Sequence, residues 1–76
     1  MKLSELKVGE MGKIISIENN GVLKRRMMDM GVLPGELIVI EKIAPLGDPI
    51  DVKIKGYQLS FRKNEASLIN VKKYKR

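Results

Sequence analysis

The stretch Arg26-Met27-Met28-Asp29-Met30-Gly31-Val32-Leu33-Pro34-Gly35 leaves the chain few ways to fold. Its residues predict the last turn of a helix, an abrupt stop and a launch into a strand. Leu23, Met27 and Met30 recur at helical spacing and therefore share one face. Gly31 stands where a helix ends in a left-handed residue, a conformation that glycine adopts cheaply. Leu33-Pro34-Gly35-Glu36 then places Pro and Gly at the two central positions of a type II turn. Behind it lies Leu37 to Ile43, the most apolar run of the chain. One short helix is thus pinned between strands.

Around this stretch the chain reads as short strands. Leu3-Ser4-Glu5-Leu6 predicts a single helical turn, and Met11 to Glu18 a first strand rich in β-branched residues. Ile14, Ile15 and Ile17 cannot all face one side of a regular strand, so either a bulge intervenes or both faces are covered. Asn19-Asn20-Gly21 breaks that strand, and an Asn there is placed to cap a helix from about Val22 to Met30. The second strand runs from Glu36 to about Ile43, and Ala44-Pro45-Leu46-Gly47-Asp48-Pro49 forms a loop. In the third strand Ile50, Val52 and Ile54 point one way, and Asp51, Lys53 and Lys55 the other. Gly56 marks a hairpin into a fourth strand, where Tyr57, Leu59 and Phe61 are expected to face the core. Lys63 to Ala66 reads as a tight or short helical turn. Leu68 to Val71 reads as a last strand before a basic tail, Lys72 to Arg76.

Size decides how such strands assemble. Seventy-six residues make a single domain, residues 1–76, and without cysteine no disulfide or thiolate metal site can reinforce it. Five short strands in so small a chain predict a bent sheet closing on itself, which hides its edges. The expected fold is mainly β: a small SH3-like barrel of about five strands, with one short helix between strands one and two. No apolar run approaches the roughly 18–20 residues that span a bilayer, and the N-terminus lacks a long apolar signal segment. A cytoplasmic monomer or weak homo-oligomer is expected.

The residue types restrict the chemistry more sharply. With neither His nor Cys, the usual acid–base, thiolate and soft-metal options are absent. Asp48 and Asp51 offer oxygens of the kind a hard cation uses. The plainer reading has Asp48 fixing the loop before Pro49 and Asp51 solvated on its strand. Gly31, Gly35 and Gly47 match no phosphate-loop spacing and serve backbone turns. No enzyme activity, cofactor or metal site is expected. Met28 falls off the Met27–Met30 face beside Lys24-Arg25-Arg26, which makes it a contact residue for a partner. The net charge of +6 suits an acidic partner, an anionic surface or nucleic acid.

The residues also carry a family pattern. Met28-Asp29-Met30-Gly31-Val32-Leu33-Pro34-Gly35, Ala44-Pro45-Leu46-Gly47-Asp48-Pro49-Ile50, Gly56-Tyr57-Gln58-Leu59-Ser60-Phe61-Arg62 and Glu65-Ala66 follow one another in an order that resembles the FeoA family of bacterial ferrous iron transport proteins. The resemblance runs from Leu3 to Val71. It implies an SH3-like fold and a cytoplasmic accessory role beside FeoB, a membrane transporter with a cytosolic GTPase domain. A protein-interaction module that regulates or assembles this transporter is the expected function. The alternative is a small basic nucleic-acid-binding barrel, for which few aromatic residues are present. SH3-like barrels often use surface loops for peptides, so Pro45, Leu46, Asp48 and Pro49 join Lys24, Arg25 and Met28 as expected partner-binding residues.

Overall fold

Alternation in β3 (Ile50–Ile54) determines which side of the sheet becomes the core: Ile50, Val52 and Ile54 are buried, while Lys53 is exposed. The computed structural model describes residues 1–18 and 21–75. Its other strands are β1 (Met11–Ile17), β2 (Leu37–Ile43), β4 (Tyr57–Phe61) and β5 (Ile69–Tyr74). They form one antiparallel sheet in the order β4-β3-β2-β1-β5. The helices are α1 (Gly21–Asp29), between β1 and β2, and the one-turn α2 (Lys63–Ala66). A 3-10 turn, Leu3–Glu5, precedes β1, and the Lys2–Asn70 bridge lays its entrance beside β5.

Two irregularities bend the sheet. The β1–β5 register shifts between Ile14 and Ser16, which turns Ile15 outward at 51% exposure while Ile14 stays buried. A bulge therefore resolves the three-isoleucine pattern. A second shift falls between Ile40 and Lys42 on β2. Each inserted residue kinks its strand and strengthens the twist, so the sheet can wrap around one core. That core holds Leu3, Ile14, Ile38, Val52, Phe61 and Ile69, among others, and contains no polar or charged side chain among the described residues.

The helix stop forms as its residues dictate. The Val32 N–H donates to the Met27 carbonyl at 2.8 Å and the Gly31 N–H to the Met28 carbonyl at 2.9 Å, with Gly31 at φ +73°. This is a Schellman ending, and buried Val32 and Met27 supply its apolar contact. The Glu36 N–H then donates to the Leu33 carbonyl at 3.1 Å, closing the turn expected around Pro34-Gly35. The helix cap expected from Asn19 or Asn20 lies outside the described residues.

Two expectations are corrected. Tyr57 is not buried: its register opposite Ile54 puts it on the core side of the sheet, but it directly follows the hairpin turn at the end of an outer strand and is left 55% exposed. Residues 72–74 are not a loose tail: they extend β5 and pair with Met11, Gly12 and Lys13. Arg76 lies outside the described residues.

Candidate functional site

Helix α1 distributes its side chains in stripes four residues apart. Leu23 and Met27 are buried and anchor it on the sheet. One step around the helix, Lys24 and Met28 form the next stripe. They line a groove of about 290 Å³ completed by Ser16 and Ile17 at the end of β1 and by Val32, Leu33 and Pro34 after the helix stop. Met28 is 64% exposed and Leu33 50%, so the apolar lining is open to solvent. On the other flank Arg26 and Met30 line a smaller cleft of about 230 Å³ with Leu59, Ser60 and Phe61. Arg26 pairs with Glu65 at 3.3 Å and stands 5.5 Å from the Phe61 ring centroid. Its charge thus clamps α1 to β4 and α2. Lys24 and Arg25, by contrast, form no ion pair among the described residues.

The structure splits the expected partner-binding residues into two groups. Lys24 and Met28 share the groove, and Arg25 is exposed on the adjoining stripe. Pro45, Leu46 and Pro49 lie exposed in the 44–49 loop, Leu46 at 93%. This loop is closed by Ala44 N–H to the Pro49 carbonyl at 3.1 Å and Gly47 N–H to the Ala44 carbonyl at 2.7 Å. The Asp48–Pro49 peptide is cis. Asp48 accepts the Lys63 backbone N–H at 3.1 Å and lines a separate polar cavity of about 550 Å³ with Ser4, Arg62, Lys63, Asn64 and Ser67. Sequence reasoning missed Ser16, Ile17, Val32, Leu33 and Pro34 as groove residues. The one available signal was Leu33, an apolar residue placed at the start of a turn.

Carboxylate chemistry is occupied locally. Asp48 tethers the loop to α2, and Asp51 accepts the Ser60 hydroxyl at 2.5 Å. No group of three or more acidic residues suited to a metal ion exists among the described residues. Glu10 has a lowered pKa, below the ordinary 4.5, because Lys73 donates to its carboxylate and the Lys7 N–H adds a second bond. This pair ties β5 to the turn before β1; it does not face the groove lining. Among the described residues no helix is long and apolar enough to cross a membrane.

Comparison with known proteins places this geometry. The FeoA domain matches residues 1–73. A Fe(2+) transport protein A/Fe(2+) transporter FeoB fusion protein of Porphyromonas gingivalis is 38% identical over 71 residues, 93% of this chain. The chain spans only 8% of that curated relative's length. The solution structure of FeoA from Chlorobium tepidum is 44% identical, with a TM-score of 0.87 over 93% of this chain and 68% of its own. A zinc-complexed FeoA of Stenotrophomonas maltophilia, described as a prokaryotic SH3 domain protein, is 26% identical. It superposes with a TM-score of 0.83 over 95% of this chain and 89% of its own. A domain match over nearly the full length, on a bent five-stranded SH3-like sheet with one helix after β1, shows that this chain belongs to the FeoA family.

Proposed function

We propose that this chain is a non-catalytic, cytoplasmic accessory module of ferrous iron transport that docks on the cytosolic part of a FeoB-type transporter and regulates or assembles it. One observation carries the reading: in the Porphyromonas gingivalis relative, a domain like this one and FeoB are fused. Fusion holds the two parts at high effective concentration, as suits modules that work in contact. The residue chemistry supports binding over turnover, since the chain has neither His nor Cys. The proposed docking surface comprises Lys24, Arg25 and Met28 on α1 and Pro45, Leu46, Asp48 and Pro49 in the loop.

The test is calorimetry or a pull-down with the transporter's purified cytosolic domain, with and without guanine nucleotide and Fe(II). Saturable binding in at least one condition is expected, and none in any condition rejects the reading. Leu46→Asp is expected to weaken binding and leave the circular dichroism spectrum unchanged, whereas Met27→Asp unfolds the domain. Identical behaviour of the two variants removes Leu46 from the surface.

A further inference from the structure

We infer that the groove beside α1 receives an acidic, amphipathic segment of a partner protein, its apolar side chains seated between Met28 and Leu33 and its carboxylates meeting Lys24 and Arg25. The inference specifies the contact used in the docking reading above and rests on it for the partner's identity. Three observations lead to it.

The first is size. At about 290 Å³ the groove falls at the lower limit of the roughly 300–1,000 Å³ usual for small-molecule sites. It suits one or two side chains presented by a larger body. The second is its lining. Ile17, Met28, Leu33 and Pro34 offer apolar surface above buried Val32, and exposed Met28 can adjust its rotamer to what enters. The third is charge. Lys24 lines the groove and Arg25 lies on the next stripe of the helix, both exposed and without ion pairs among the described residues. Arg26 is already engaged by Glu65, and the single acid of α1, Asp29, falls on the Arg25 stripe away from Lys24 and Met28. An apolar slot with cations beside it that form no ion pair among the described residues complements carboxylates flanking an apolar stripe.

Other occupants fit less well. Nucleic acid would find no aromatic ring among the lining residues on which to stack a base. A second copy meeting this face about a two-fold axis would bring Lys24 and Arg25 into the interface twice, and the groove lining has no acidic residue to pair with them.

The experiment titrates 15N-labelled protein with two synthetic peptides sharing one leucine stripe at helical spacing, with Glu at the polar positions of one and Lys in the other. Amide shifts at Ile17, Lys24, Met28, Val32 and Leu33 are expected, with the Glu peptide bound about tenfold or more tighter. The double variant Lys24→Glu/Arg25→Glu is expected to reverse the preference. Lys42→Glu/Lys53→Glu, at exposed positions on β2 and β3 outside the groove lining, makes a matched charge change and leaves the preference intact. Equal affinity for both peptides, or shifts confined to the 44–49 loop, overturns the inference. A second arm uses the transporter's cytosolic domain. If it binds the wild type and the Lys24→Glu/Arg25→Glu variant alike, the groove assignment fails and the transporter reading stands. If the Glu peptide seats as expected but the transporter domain never binds, the groove assignment stands and the transporter reading fails.

Discussion

Glu10 and Lys73 show how a single charge pair holds a strand end on this small fold. Lys73 Nζ lies 2.5 Å from the Glu10 carboxylate, and the Lys7 N–H donates to the same side chain at 2.7 Å. Both favour the ionised form, so the Glu10 pKa sits below the ordinary 4.5. A lowered folded-state pKa stabilises the fold at pH values above the ordinary one. That contribution is lost as pH falls through the lowered value. In a carboxyl-detected NMR titration, Lys73→Met is therefore expected to move the Glu10 midpoint upward, and an unmoved midpoint contradicts the pairing. Gly12, on β1 opposite Lys73, makes a steric counterpart. A Cβ there would stand 3.1 Å from Val71 Cβ and 3.0 Å from Leu6 Cδ1. Val71 Cβ is fixed to the β5 backbone and cannot swing aside, so Gly12→Ala is expected to cost about 1–3 kcal/mol in a denaturant titration. A neutral result would mean that the β1–β5 spacing yields by the few tenths of an ångström that the methyl requires.

At the scale of elements, α1 is a helix whose neighbouring stripes do different work. Met27 is fully buried, and Met27→Ala is expected to cost about 2–5 kcal/mol by chemical denaturation. Met28, one residue on, faces the groove, and Met28→Ala is expected to stay within about 0.5 kcal/mol. Comparable losses from both would mean that the helix is rotated from the position described. This contrast was legible in the residues, because helical spacing alone separates Met28 from Leu23 and Met27. So were the β3 alternation and the Gly31 stop, each set by contacts within a few positions. The bulge at Ile15 was legible only as a choice of two, since the partner residues that select it lie on β5, more than fifty positions away. Tyr57 misled because strict alternation ignores how an outer strand emerges from its hairpin. The groove itself was invisible: Ile17 and Leu33 meet only after the helix stop folds the chain back beside the end of β1.

For the whole molecule the question is what the +6 charge serves. Two exposed aromatics, Tyr57 and Tyr74, keep the nucleic-acid alternative physically concrete. Yet they lie on β4 and β5, the opposite ends of the strand order, so no shared ladder aligns them as one stacking platform. Electrostatic binding to phosphates releases counterions and collapses as salt rises. Docking through an apolar groove keeps its hydrophobic part when charges are screened, and at about 1 M salt the screening length is only about 3 Å. Raising salt from about 0.05 to 1 M is therefore expected to abolish any association with a generic oligonucleotide. Over the same range the transporter's cytosolic domain should bind more slowly and weakly, but still saturably. Parallel titrations by fluorescence anisotropy discriminate the two. If the transporter's cytosolic domain binds saturably at no salt concentration, while the oligonucleotide binds at about 0.05 M and is released by about 1 M, the charge serves nucleic acid, and the groove is not where this protein does its work.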